Sequence, residues 1–540
     1  MKVMSIRGML VSLATVVSTL LIAAFAGLTW LSYNDNKINY DVSTEGLIIP
    51  SYEQQSIDFI PSYDPLTTLP FTASAIIDID NDGIEELFLG GGRLQNDAIY
   101  RFINGSFTDI TAETGWSKDF PDKTFSSVSL DLDNDDDNDL LLTRESGVWK
   151  YTNDEGVFTG KKLALELDSK TVPLALGVAD LNRDGQYDLY VAGYIAREHV
   201  EGETIFNREY GGVSSLFINT GEDTFRDATE ESGLYYKHNT FLGMFIDVDQ
   251  DKQEDLMVAH DTGQIRTWKN RGNGEFTNEA NPSSEIFAYP MGIAVTDYGN
   301  DGLPDFWFSN VGTTTPDFLV RGDLREEQVL HKDWFFLKNQ GNFQFDDIAE
   351  QARLADYEFS WGAVFEDLNL DGRDDLLVSE NYTGWPLHAL KMWRLDSRYF
   401  LQTESGEFAE TGKQAGVSNR EYGITPLAAD FNQDGYPDIV HVNLLGPQNV
   451  FLSQGGEQGH LKVKLPNTVA SIGARVVVTL ESGKQLNQFF TVGEGLGSDQ
   501  SHILTFGLGD ESVTKITVIN LSGPDQRRQG PYRNETVRIQ

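Results

Sequence analysis

Seven short stretches decide how this chain folds: Asp78–Glu86 (DIDNDGIEE), Asp131–Asp139 (DLDNDDDND), Asp180–Asp188 (DLNRDGQYD), Asp247–Asp255 (DVDQDKQED), Asp297–Asp305 (DYGNDGLPD), Asp367–Asp375 (DLNLDGRDD) and Asp430–Asp438 (DFNQDGYPD). The first, fifth and ninth positions are carboxylates in every copy. The third is Asp or Asn except at Gly299, and the sixth is Gly except at Asp136 and Lys252. The seventh is unrestrained, running from Ile84 to Arg373 and Tyr436. Carboxylates crowded into one loop repel each other unless a cation sits among them. Side-chain oxygens at the first, third, fifth and ninth positions, with a free choice at the seventh, suit a hard cation that takes a backbone carbonyl there. Glycine at the sixth permits the sharp turn that gathers the oxygens. With no Cys in the chain and no repeated His, calcium fits best.

The expected ligands are therefore Asp78, Asp80, Asp82 and Glu86; Asp131, Asp133, Asp135 and Asp139; Asp180, Asn182, Asp184 and Asp188; Asp247, Asp249, Asp251 and Asp255; Asp297, Asp301 and Asp305; Asp367, Asn369, Asp371 and Asp375; and Asp430, Asn432, Asp434 and Asp438. That allows up to seven calcium ions, the fifth loop being weakest because Gly299 removes a ligand. An EF-hand shares the first half of the pattern but needs a Glu at the twelfth position and flanking helices. Here that position is Leu89, Leu142, Val191, Val258, Phe308, Val378 and His441, so the EF-hand is excluded.

Short apolar runs flank each loop, as in SAII (74–77) and LFL (87–89), and read as strands. Between the loops lies a looser element, FINGSFTDI (102–110), LFINTGEDTFRD (216–227) and FFLKNQGNFQFDD (335–347), which reads as strand, Asn/Gly turn, strand. Two strands around each acidic loop and two around each Asn/Gly turn make one four-stranded sheet per repeat. Successive loops start roughly 50 to 70 residues apart, the size of a propeller blade with variable connections.

These motifs resemble the FG-GAP/VCBS repeat of integrin α-subunit propellers and their bacterial relatives, over roughly residues 66–458. The resemblance implies a seven-bladed β-propeller with calcium in each intact loop, its side-chain ligands being the residues named above. A second unit follows at 459–540, with strand-like LKVKL (461–465), GARVVVTL (473–480), QFFTV (488–492), LTFGLGD (504–510) and KITVIN (515–520) separated by turns. Its GAR, Gly-rich SDQS and FGLGD segments, in that order, resemble the ASPIC/UnbV domain of the cartilage acidic protein-like family.

The chain opens with Lys2 and Arg7 before an uncharged apolar run from Gly8 to Leu31. Residues 1–33 thus read as a signal-anchor or a signal peptide cleaved after Ala24-Phe25-Ala26, with 34–65 a linker. The acidic flank after the run places everything beyond Tyr33 outside the cytoplasm, membrane-anchored in the cell envelope or secreted. A net charge of −42 argues against nucleic acid as a partner. A cysteine-free exported chain of 540 residues points to a bacterial source.

The fold class expected is all-β: a seven-bladed propeller, a small C-terminal β domain and an N-terminal transmembrane or signal helix. The function expected is that of a calcium-binding envelope protein serving adhesion or scaffolding for a protein or glycan partner, not an enzyme. A polysaccharide lyase or hydrolase, or an assembly subunit of an envelope complex, is the alternative. Binding is expected at the insertions 189–240, 309–360 and 379–425, with their Tyr190, Tyr210, Tyr235, Tyr236, Trp334, Trp385 and Trp393. Three other signals read as ordinary structure: Gly493–Gly497 (GEGLG) lacks the βαβ setting of a dinucleotide loop, Arg321-Gly322-Asp323 sits in a charged connection, and Arg527, Arg528, Arg533 and Arg538 form a solvated basic end.

Overall fold

The computed structural model describes residues 15–27, 39–64, 66–117, 122–199, 211–272, 274–313, 324, 327–381 and 394–539. Strand β1 (Tyr52–Ile57) comes first, followed by β2 (Ser74–Ile77), β3 (Glu86–Leu89), β4 (Ala98–Ile103) and β5 (Ser106–Asp109). The acidic loop Asp78–Glu86 joins β2 to β3, and Asn104-Gly105 turns β4 into β5. Both strands around the loop are buried along their whole length, which is why they read as continuous apolar runs. The outer strand β5 is largely exposed.

The same antiparallel arrangement recurs. The second sheet holds Thr124–Leu130, Asp139–Arg144, Gly147–Asp154 and Val157–Lys162, and the third Thr171–Ala179, Asp188–Ile195, Ser215–Asn219 and Phe225–Asp227. The fourth holds Thr240–Ile246, Asp255–His260, Arg266–Asn270 and Phe276–Glu279, and the fifth Ile293–Thr296, Asp305–Phe308, Phe335–Asn339 and Phe345–Asp347. The sixth holds Ser360–Glu366, Asp375–Glu380, Arg398–Gln402 and Phe408–Glu410. The seventh takes Gly423–Ala429, Asp438–Asn443 and Gln448–Ser453 from the end of the repeats and its outer strand, β1, from the start of the chain, with Tyr52 opposite Ser453 and Ile57 opposite Gln448. Residues 34–65 are therefore not merely a linker. YEQQSI, with its two ends buried and its middle open, lies as the outer strand of that sheet.

The first strands of neighbouring sheets pack side by side from β2 to Thr240–Ile246, and again from Ile293–Thr296 to Gly423–Ala429, which also touches β2. In an antiparallel meander the first and third connections lie at one end of a sheet and the second at the other. The acidic loops and the Asn/Gly turns thus share one face. The long inserted segments, which join second to third strands, leave from the opposite face.

The C-terminal unit is a two-sheet sandwich. One sheet orders Ile503–Gly509, Gly459–Lys464 and Glu535–Arg538; the other orders Gln485–Phe489, Arg475–Leu480, Val513–Ile519 and Gln526–Tyr532. Leu461 and Val463 alternate inward to meet Val476, Val478, Phe506 and Ile516, and this core runs on into Val128, Leu130 and Leu189 of the repeats. Near the N-terminus residues 15–27 are helical with exposed side chains. No helix among the described residues is long and apolar enough to cross a membrane. The remainder of the expected anchor, 1–14 and 28–33, lies outside them.

Candidate metal centre

Six of the seven acidic loops, all but the first, share a set of side-chain-to-backbone hydrogen bonds from the first and ninth carboxylates. In the third loop the Asp184 and Gly185 amides donate to Asp180 at 3.0 and 2.9 Å, and the Gln186 amide to Asp184 at 2.9 Å. The Leu181 amide donates to Asp188 at 3.0 Å, and the Asn219 amide, on the third strand, donates to the other Asp188 oxygen at 2.9 Å. The first carboxylate thus folds the loop over itself, and the ninth ties the loop to the third strand. The fourth residue is left-handed in every loop, from Asn300 (φ 49) to Asn134 (φ 61), even where it is Arg183 or Leu370. The sixth is left-handed too, glycine or not: Asp136 has φ 76 and Lys252 φ 67.

Three loops bring carboxylates to a common point. Ligand oxygens of Asp78, Asp80 and Asp82 lie within 4.8 Å of one another, as do those of Asp131, Asp133 and Asp135 and those of Asp247, Asp249 and Asp251. Asp78 Oδ1 and Asp249 Oδ1 are buried without a hydrogen-bond partner. In the other loops Asn182, Asn369 and Asn432 stand at the third position, and Gly299 supplies no oxygen there. The ninth carboxylates, also expected as ligands, are not among the converging groups. In six loops, those of Asp139, Asp188, Asp255, Asp305, Asp375 and Asp438, both oxygens accept backbone amides. Glu86 instead accepts one amide and pairs with Arg101. Burial pushes Asp139 and Asp188 up to about 7 and Asp255, Asp305 and Asp438 up to about 8, against the opposing pull of those amides.

The loops differ in what neutralises them. In the first, Lys464 Nζ lies 2.6 Å from Asp78 and 2.8 Å from Asn81, and Arg101 lies 2.7 Å from Asp80. Lys269 bridges Asp249 and Asp251 in the fourth, Arg373 pairs with Asp371 in the sixth, and Lys462 pairs with Asp430 in the seventh. Among the described residues no ion pair reaches the carboxylates of the second, third or fifth loop.

Lys462 and Lys464 belong to the C-terminal sandwich, which sits on the acidic-loop face. It also donates the Gly507 amide to Asp367 at 3.1 Å, Arg475 to the Gly302 carbonyl at 2.9 Å and Asn467 to Asn138 at 2.7 Å. The Asn520 carbonyl accepts from Lys252 at 2.9 Å. Its glycine-rich segment enters between the sheets. Ser498 pairs with Ser74 of β2, Asp499 accepts the Ser129 amide at 2.6 Å, Glu494 accepts the Val295 amide at 2.9 Å, and Gln500 donates to the Pro426 carbonyl at 3.1 Å. Gly495 has φ 96, and a Cβ there would stand 2.6 Å from Thr425 Oγ1. The glycines that imitate a dinucleotide loop serve this close approach to the inner strands.

Two aromatics expected at a binding surface are core: Tyr190 and Trp334 are fully buried, Tyr190 under Phe245 and Trp334 between Trp307 and Tyr357. Tyr235 is 52% exposed, and Tyr236 is half-buried. Tyr210, Trp385, Trp393 and Arg321-Gly322-Asp323 lie outside the described residues. Of the basic end, Arg533 is tied to the Gly509 carbonyl at 2.9 Å and Arg538 lies 3.4 Å from Asn81. Sequence reading missed a Tyr–His cluster, because Tyr236, His238, His260 and Arg266 carry no motif. His260 Nδ1 donates to the Gln264 carbonyl at 2.9 Å and Nε2 accepts the Tyr236 hydroxyl at 2.9 Å. Burial lowers His238 to about 4 and holds His260 well below the usual imidazole range. With both its nitrogens engaged, His260 serves as a buried structural link.

The FG-GAP-like repeat family matches residues 131–191 and 247–308, and the ASPIC and UnbV family matches 466–540. The chain carries FG-GAP-like repeats and an ASPIC and UnbV domain. It is 23% identical to cartilage acidic protein 1 of Mus musculus over 62% of this chain and 50% of that protein, and 24% identical to that of Homo sapiens over 62% and 49%. It is 22% identical to that of Xenopus tropicalis over 84% and 71%. The chain spans about half the length of the mouse and human relatives. Solved structures similar to it include a V. cholerae biofilm matrix protein (TM-score 0.38, 11% identity, 84% of this chain and 100% of that one). A rhamnogalacturonan lyase is also similar (TM-score 0.40, 11% identity, 75% and 76%).

Proposed function

We propose that this chain is a calcium-stabilised, seven-bladed β-propeller that works as a binding or scaffold protein of the cell envelope. The observation that carries the calcium reading is the second loop. Asp131, Asp133 and Asp135 converge within 4.8 Å, and no cationic side chain among the described residues lies at ion-pair distance from them, the nearby Lys150 being paired with Asp223. Like charges held that close raise one another's free energy until a cation joins them. Oxygen-only donors on a flexible turn suit calcium. The bound ion supplies charge neutralisation and stiffness to the loop. The chain's own residues set the hairpin and the seat for the C-terminal sandwich.

The scaffold reading follows from which surface is left free. The sandwich covers the acidic-loop face and its glycine-rich segment fills the space between inner strands, so a protein or glycan partner meets the opposite face, where the inserted segments leave the sheets and Tyr235 is exposed. The test is thermal melting of the full chain in calcium and in chelator, with affinity purification from native membranes through the same chain. Calcium-dependent melting and recovery of one recurring envelope partner support the proposal. A melting curve indifferent to chelator would remove the calcium reading, and turnover of a polysaccharide would replace the scaffold reading with the enzymatic one.

A further inference from the structure

Lys462 and Lys464 stand on one strand, Gly459–Lys464, with strict alternation between core and outward face. Leu461 and Val463 go to the sandwich core, so both lysines must point at the acidic loops. They reach different ones. Lys464 bonds Asp78 and Asn81 of the first loop, and Lys462 pairs with Asp430 of the seventh. These are not surface pairs: the lysine side chains are 13% and 15% exposed, Asp78 4% and Asp430 5%. An ammonium presents three donors and one positive charge. It therefore places a positive charge on the first carboxylate of each loop, at Oδ2 of Asp78 and of Asp430, and repels a metal ion that would share that carboxylate. A crevice of about 390 Å3, lined by both lysines together with Asp82, Asp430, His460 and Arg538, opens next to both loops. Water and ions can therefore reach the loops, so the lysines hold their places against competition.

We propose that Lys464 and Lys462 are the built-in cations of the first and seventh loops. These two loops take no calcium while the C-terminal domain is seated, and metal is confined to loops that lack such a lysine, the second and third foremost. This rests on the calcium reading above. The lysines also make the seam where the first and last sheets meet, already held by β1, a seam locked by the C-terminal domain, so that closure there does not depend on external calcium.

The test counts calcium on the full chain by native mass spectrometry, for the wild type and for Lys462→Met/Lys464→Met, which keeps an unbranched side chain one atom shorter and removes the charge. The double variant is expected to carry two more calcium ions than the wild type. In chelator it is expected to melt below the wild type, and calcium is expected to close that gap. If the double variant fails to fold, Lys462→Gln and Lys464→Gln singly are each expected to gain one ion. Equal counts in wild type and all variants, on a wild type that does bind calcium, overturn the lysine assignment alone. A wild type that binds none overturns the calcium reading and the assignment together.

Discussion

The third and seventh loops, DLNRDGQYD and DFNQDGYPD, share the same residues at the first, third, fifth, sixth and ninth positions and fold alike. Asp180 and Asp430 each accept the amides of the fifth and sixth residues, and Asp188 and Asp438 each tie the loop to the third strand. Yet Asp430 holds Lys462, while no ion pair among the described residues reaches Asp180. The repeat thus sets the shape of a loop, and residues outside the loop set what neutralises it. The cation can come from the third strand (Arg101, Lys269), from the loop itself (Arg373) or from the other domain (Lys462, Lys464).

The largest effect should fall where the two loops are the same. Removing the ninth carboxylate, Asp188→Ala or Asp438→Ala, strips two buried amides of their acceptor and should cost about 2–5 kcal/mol in urea denaturation. Because those oxygens serve amides, the cost should persist in chelator. A cost that vanished there would make the ninth residue a metal ligand after all. Next, the loops should part: Lys462→Met should destabilise by about 1–3 kcal/mol in chelator and by less in calcium. Asp180→Asn should do the reverse, weakening the chain only when calcium is present. Equal responses of the two variants to chelator would break the comparison. A third change, Gly495→Ala, should cost roughly 1–3 kcal/mol through its left-handed backbone and the close Thr425 hydroxyl, read as a lower melting temperature at any calcium concentration.

Much of this was legible. The apolar runs around each DxDxDG stretch and the Asn/Gly turns predict four strands per repeat, and those strands form. What escaped reading was whatever depends on a distant partner. YEQQSI pairs with a strand about four hundred residues later, as Tyr52 opposite Ser453 attests, and nothing local announces it. Alternation in GHLKVK says that Lys462 and Lys464 face outward but not that acidic loops await them. The GEGLG glycines carry a local signature shared with nucleotide loops, and only the inner strands pressed against them reveal their use. Tyr190 and Trp334 fall within the insertions 189–240 and 309–360 in sequence, but each lies on or next to a strand that is buried on both faces.

The smallest predicted effect sharpens the account of the loop backbone. Asp136 occupies the left-handed sixth position that glycine fills in five other loops, and its amide, not its side chain, serves Asp131. Asp136→Gly should therefore leave that bond in place and stabilise by about 0.5–1 kcal/mol, visible as a small rise in melting temperature.

The most direct measurement is anomalous diffraction from crystals of the full chain grown in calcium. The account predicts calcium peaks among Asp131, Asp133 and Asp135 in the second loop and beside Asp180 and Asp184 in the third, with the ammonium groups of Lys464 and Lys462, not metal, in the first and seventh. Peaks in none of the loops, or carboxylates of the second loop turned away from one another, would contradict it.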